Sequence, residues 1–121
     1  MLFKCKEEKK QVDVQSEEIH PAFPGFEKIK LTARQKKQSV HFYNPNWNQC
    51  YFEITILLPK GEELFHLGLL APGEEITEIQ INYPLEPGNY PNSIIEYSCY
   101  ELGSMFPFRG AGIVTELEVV E

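Results

Sequence analysis

No stretch of this 121-residue chain approaches the roughly 20 apolar residues that a membrane-spanning helix requires. Nor does a complete signal peptide open it, because Met1-Leu2-Phe3 is only a stub of an apolar region and Lys4 follows at once. Basic residues are missing from Gly61 to Phe108, and the net charge is −7. A nucleic-acid binder needs a basic face to neutralise phosphates, so that class is excluded. Three cysteines permit at most one intramolecular bridge. The three histidines, His20, His41 and His66, fall far apart, with no pair at metal-ligand spacing. Phosphate-cradling loops are absent too, since Gly110-Ala111-Gly112 runs into a strand pattern rather than a helix. No cofactor is expected, and no nucleophile or acid–base pair has support. Long amphipathic helical periods are also lacking.

What is there is a grammar of short alternating runs. In Ser39–Leu58, Val40 and Phe42 alternate with Ser39 and His41; after Asn44-Pro45-Asn46, Cys50, Phe52, Ile54, Ile56 and Leu58 alternate with Tyr51, Glu53, Thr55 and Leu57. Period two on both sides of a polar turn predicts two half-buried strands, over 38–43 and 50–58. Ile29 and Leu31 lie between lysines and predict a short first strand with a charged outer face. The run Leu64–Leu70 predicts a fourth strand, with Gly68 marking a bulge or a switch of sheet. Thr77–Ile81, Ser93–Glu101 and Ile113–Val120 complete the set, separated by Pro/Gly corners at Ala71–Glu74 and Pro84–Tyr90. Leu102–Gly112 reads as an irregular loop. The expectation is an all-β fold, an Ig-like antiparallel β-sandwich of about seven strands. The third and sixth strands have the cleanest apolar faces and belong at the centre. The first is a lysine-protected edge, and the last is less protected, with Val114 and Val120 on its outer face.

Residues 1–22 are highly charged and without sustained apolar period, and read as a flexible leader to a domain over 23–121. Within it Cys5 opens the run Lys6-Glu7-Glu8-Lys9-Lys10. A cysteine before a charged tether is how mature bacterial lipoproteins begin, which makes Cys5 a candidate for lipid attachment; the alternative is a tail with an incidental thiol. A lipid anchor implies an extracytoplasmic surface, whereas an authentic start at Met1 implies a soluble cytoplasmic protein.

Asn44-Pro45, Cys50-Tyr51-Phe52, Leu70-Ala71-Pro72-Gly73 with Ile76, Pro84-Leu85 with Gly88-Asn89-Tyr90, and Tyr97-Ser98-Cys99-Tyr100 together resemble a family of uncharacterised Ig-like domains. These occur in Firmicutes and related gut bacteria, usually behind a lipoprotein signal or a membrane anchor. Pro21–Phe26 is similar to their Pro-Gly entry segment, and the resemblance spans roughly residues 19–120. It implies fold and surface display, and brings no catalytic residues. Gly88-x-Tyr90 also resembles a tyrosine corner, while the position of Trp47 before Cys50 departs from antibody-type domains.

Alternation points Cys50 and Cys99 inward on strands that meet if they are antiparallel neighbours. Two outcomes stay open: a disulfide, which would stabilise by ~3–4 kcal/mol outside the cytosol, or two reduced core thiols. The aromatic loops are the strongest functional signal. Trp47 in the Asn-rich turn, and Met105, Phe106 and Phe108 near the end of the chain, are candidate partner contacts, with Tyr43, Tyr51 and Tyr100 beside them. The plainer alternative is that these rings close the ends of the core. Function is therefore expected to be that of a non-enzymatic Ig-like binding or assembly module with a protein partner. The alternative is a structural accessory subunit of an envelope complex or phage particle.

Overall fold

The computed structural model describes residues 23–121, with the side chain of Phe108 left undescribed. The expected leader, with Cys5 and His20, lies outside the described residues. Seven strands form two sheets: β1 (Lys28–Thr32), β2 (Lys37–Tyr43), β3 (Cys50–Leu57), β4 (Glu63–Leu70), β5 (Glu75–Gln80), β6 (Gly88–Glu101) and β7 (Pro107–Val120). The larger sheet has the order β1-β7-β6-β3-β4, and β2 pairs with β5 in the smaller. The fold is thus an all-β sandwich.

β3 and β6 stand inside the larger sheet, where Phe52, Ile54, Ile56, Ile95 and Tyr97 are fully buried. β2 and β3, neighbours in sequence, belong to opposite sheets, so the Asn44–Gln49 connection crosses between layers rather than closing a hairpin. Gly68 does sit at a bulge: Phe52 opposes Leu70 and Ile54 opposes Leu67, which leaves one extra residue on β4.

Two strands are too narrow to cover five at ~4.8 Å spacing, and the entry segment completes the second layer. The Phe23 ring stacks 5.4 Å from Phe52 and lies tilted 5.3 Å from Tyr97, and Phe26 meets Phe42 edge-on at 5.5 Å. The Tyr97 hydroxyl, otherwise an orphan in the core, donates to the Pro24 carbonyl at 2.8 Å. Tyr90 donates to the Glu86 carbonyl at 2.9 Å and ties the β6 corner back to backbone, the bond expected of a tyrosine corner.

Three features differ from the strand pattern. β1 runs parallel to β7, with Lys28 opposite Glu116 and Lys30 opposite Glu118. β1 crosses to β2 in the other sheet, so no hairpin dictates its direction, and the lysine–glutamate match on the outer face favours this pairing. β6 and β7 are each 14 residues long, and most of the expected loop Leu102–Gly112 is strand. Pro107–Gly112 has no apolar alternation; it is strand because β6 templates it, residue by residue from Arg109 opposite Cys99 to Gly112 opposite Glu96. Gly110 belongs to that contact, since a Cβ there would meet the Tyr97 carbonyl oxygen at 2.8 Å. Finally, β7 is an interior strand over Glu116–Val120, where β1 covers it. Its exposure is confined to the half before Glu116.

Candidate functional site

Because β1 pairs with β7 only from Glu116 onward, Pro107–Thr115 presents one backbone edge without a strand partner among the described residues. The outer face beside that edge carries one apolar row, next to Glu96 and Ser98, which oppose Gly112 and Gly110. Leu57 opposes Ile94, which opposes Val114, a row across β3, β6 and β7 that ends in a valine 65 % exposed. Gly110 and Gly112 flank Val114 on the same face and leave it flat. At the tip of the hairpin Phe106 is 69 % exposed, so its ring does not close the core, and Met105 and Leu102 are exposed beside it.

The tip is held in an uncommon conformation. Met105 has φ +64° and Gly103 φ +88°, and a methionine in the left-handed region persists only where surrounding structure imposes it. The restraints are visible: Glu101 N–H donates to the Phe106 carbonyl at 2.8 Å, Met105 N–H donates to the Glu101 carbonyl at 2.9 Å, and the Ser104 hydroxyl donates to the Glu101 carboxylate. These bonds fix the backbone at the tip from which Phe106 projects.

Trp47 sits at the same end of the sandwich, because its turn leads into Cys50 and Cys50 pairs with Glu101, where the hairpin tip begins. The two predicted aromatic sites are thus neighbours by topology on separate connections. Trp47 is 70 % exposed. Its turn is pinned by a buried amide network that the pattern of strands gave little reason to expect. Asn44, buried, donates to the carbonyls of Cys50 and Leu70, both at 2.9 Å, and accepts from the Asn48 side chain at 2.8 Å. A signal existed, since Asn44 continues the inward phase of Val40 and Phe42. Gln38 continues it in the other direction and, buried, bonds the Thr32 N–H and the carbonyls of Thr32 and Gln35, all at 2.8 Å. Polar residues on an inward phase fasten turns.

Cys50 and Cys99 are buried free thiols, with Cys50 Sγ–H donating to Cys99 Sγ at 3.4 Å. Burial pushes both thiols up from their ordinary value, Cys99 the further. His41 and His66 stand apart on exposed strand faces. His41 pairs with Glu75 at 2.6 Å, and His66 pairs with Glu53 at 2.8 Å while Tyr100 donates to the other Glu53 oxygen at 2.7 Å. These bonds hold Glu53 below the usual carboxylate value, that from Tyr100 contributing most. Among the described residues no three histidine, cysteine or acidic side chains gather as a metal-ligand set.

Compared with protein-family models, curated proteins and solved structures, the chain finds no match.

Proposed function

We propose that this chain is a non-enzymatic binding or assembly module, displayed at a bacterial surface, that captures a partner protein as an added strand along β7. One observation carries the reading: among the described residues the backbone edge of Pro107–Thr115 has no strand partner where β1 ends, beside an apolar row and an exposed phenylalanine. Main-chain hydrogen bonds to such an edge supply affinity, and pockets for alternate side chains supply selectivity. Edge strands elsewhere in natural sheets are shortened or charged to prevent this pairing; β1, the other edge on this side, is short and carries Lys28 and Lys30 outward. Binding is favoured over catalysis because the Cys50 and Cys99 thiols, the strongest nucleophiles among the described residues, are buried with raised pKa values, and both His–Glu pairs stand on open strand faces. Surface display rests on the resemblance to anchored Ig-like domains and on Cys5.

The test is a Phe106→Ser, Val114→Lys double variant, compared with wild type in capture of partners identified by mass spectrometry after crosslinking. Capture should be lost with the thermal midpoint unchanged, and the amides of Gly110–Val114 should gain hydrogen-exchange protection when the partner binds wild type. A marked fall in midpoint would show that these side chains close the core, and undiminished capture would show that the partner binds elsewhere.

A further inference from the structure

The turn that carries Trp47 also walls a cleft of about 340 Å³, open to solvent, between the end of β2 and the Ala71–Glu75 connection. That volume falls within the roughly 300–1,000 Å³ typical of small-molecule sites. Trp47 and Tyr43 supply two aromatic rings, and Tyr43 stacks at 5.2 Å and 29° on His41, which also lines the cleft. Glu74 and Glu75 supply two carboxylates, the second paired with His41 of the lining, and among the described residues no lysine or arginine lines the cleft.

These surfaces are held in place. Asn44 N–H donates to the Glu74 carbonyl at 3.0 Å and Gly73 N–H donates to the Asn44 carbonyl at 2.7 Å, so the turn bearing Trp47 is joined to the connection bearing the glutamates. Glu74 accepts from the Ala71 N–H at 2.8 Å through Oε1, and Glu75 accepts from His41 through Oε1. The Oε2 atom of each carries no partner among the described residues. The buried amides thus fix the backbone from which the exposed Trp47 ring projects.

We propose that this cleft binds an organic cation, an alkylammonium or guanidinium group, over the Trp47 and Tyr43 rings with Glu74 and Glu75 as counter-charges. Electron-rich ring faces attract such cations, most strongly where a carboxylate adds to the field. An anion meets two like charges. A neutral sugar also stacks on rings and donates hydroxyls to carboxylates, but it gains no charge attraction here, so it is the competing ligand that the titration tests.

Trp47 is the single tryptophan of the chain, so its fluorescence reports this cleft alone. The intact chain is titrated with tetramethylammonium chloride, with N-acetyl-lysine methylamide and with N-acetyl-arginine methylamide, each against sodium chloride at equal ionic strength. A saturable change in emission in the millimolar range is expected with at least one cation and none with sodium. Response to tetramethylammonium alone identifies a free quaternary ammonium ligand, and response to the amino-acid amides identifies a side chain of a protein. The Glu74→Gln, Glu75→Gln variant keeps the turn's acceptor atoms and should weaken binding about tenfold or more. No saturable change with any cation, equal binding by that variant, or saturation by a neutral disaccharide instead would overturn the proposal. Circular dichroism of the variant matching wild type establishes that the loss is local.

Discussion

Cys50 Sγ lies 3.4 Å from Cys99 Sγ across two central strands, yet the two are not directly opposite: Cys50 faces Glu101, and Cys99 faces Phe52. The pair is diagonal, on the inward face, and both side chains are fully buried. This is a hydrogen-bonded thiol pair within the core of the sandwich.

Reactivity of these thiols should follow unfolding. Alkylation requires thiolate, and desolvation raises both pKa values, so the charged form is suppressed while access is denied. In a Cys5→Ser background under reducing conditions, iodoacetamide should label neither cysteine of the native protein appreciably, and both once denaturant unfolds it. Labelling of native protein at the rate of a free thiol would contradict the burial.

A pH dependence is expected from Glu53. Its folded pKa is depressed, chiefly by the Tyr100 hydroxyl and then by His66. The unfolded chain therefore binds the proton more readily, and the stabilisation is full above the unfolded value of about 4.3 and lost as pH falls through the lower folded value. Tyr100→Phe removes the largest contribution. The variant's thermal midpoint should fall less steeply with acidification than that of wild type, and parallel midpoint-against-pH curves would refute the assignment.

Gly110 and Gly112 should behave differently despite their spacing. Ala at 110 drives a Cβ against the Tyr97 carbonyl at 2.8 Å, whereas Ala at 112 meets the Ile94 methyl at an ordinary 3.5 Å. Gly110→Ala should cost about 1–3 kcal/mol in denaturant unfolding, as overpacking does, and Gly112→Ala should lie within about 0.5 kcal/mol of wild type. Equal effects would mean that β7 does not approach β6 as described.

By itself the sequence determined the class of fold, the faces and the punctuation. Period-two runs placed Phe52, Ile54 and Ile56 inward and made β3 and β6 central, because buried apolar alternation leaves a strand only one way to face. Gly68 marked the bulge and Gly88-x-Tyr90 the corner for equally local reasons, backbone freedom and a phenol within reach of a preceding carbonyl. The sequence could not show that β1 lies parallel to β7, since strand direction within a sheet depends on where the chain arrives from the other layer. Nor could it show that Pro107–Gly112 is strand, because its order comes from pairing with β6 rather than from its own pattern. Trp47 and Phe106 were legible as exposed aromatics on loops. Only tertiary structure gave each its setting: the open edge left where β1 stops, and the cleft formed when Asn44 fastens one connection to another.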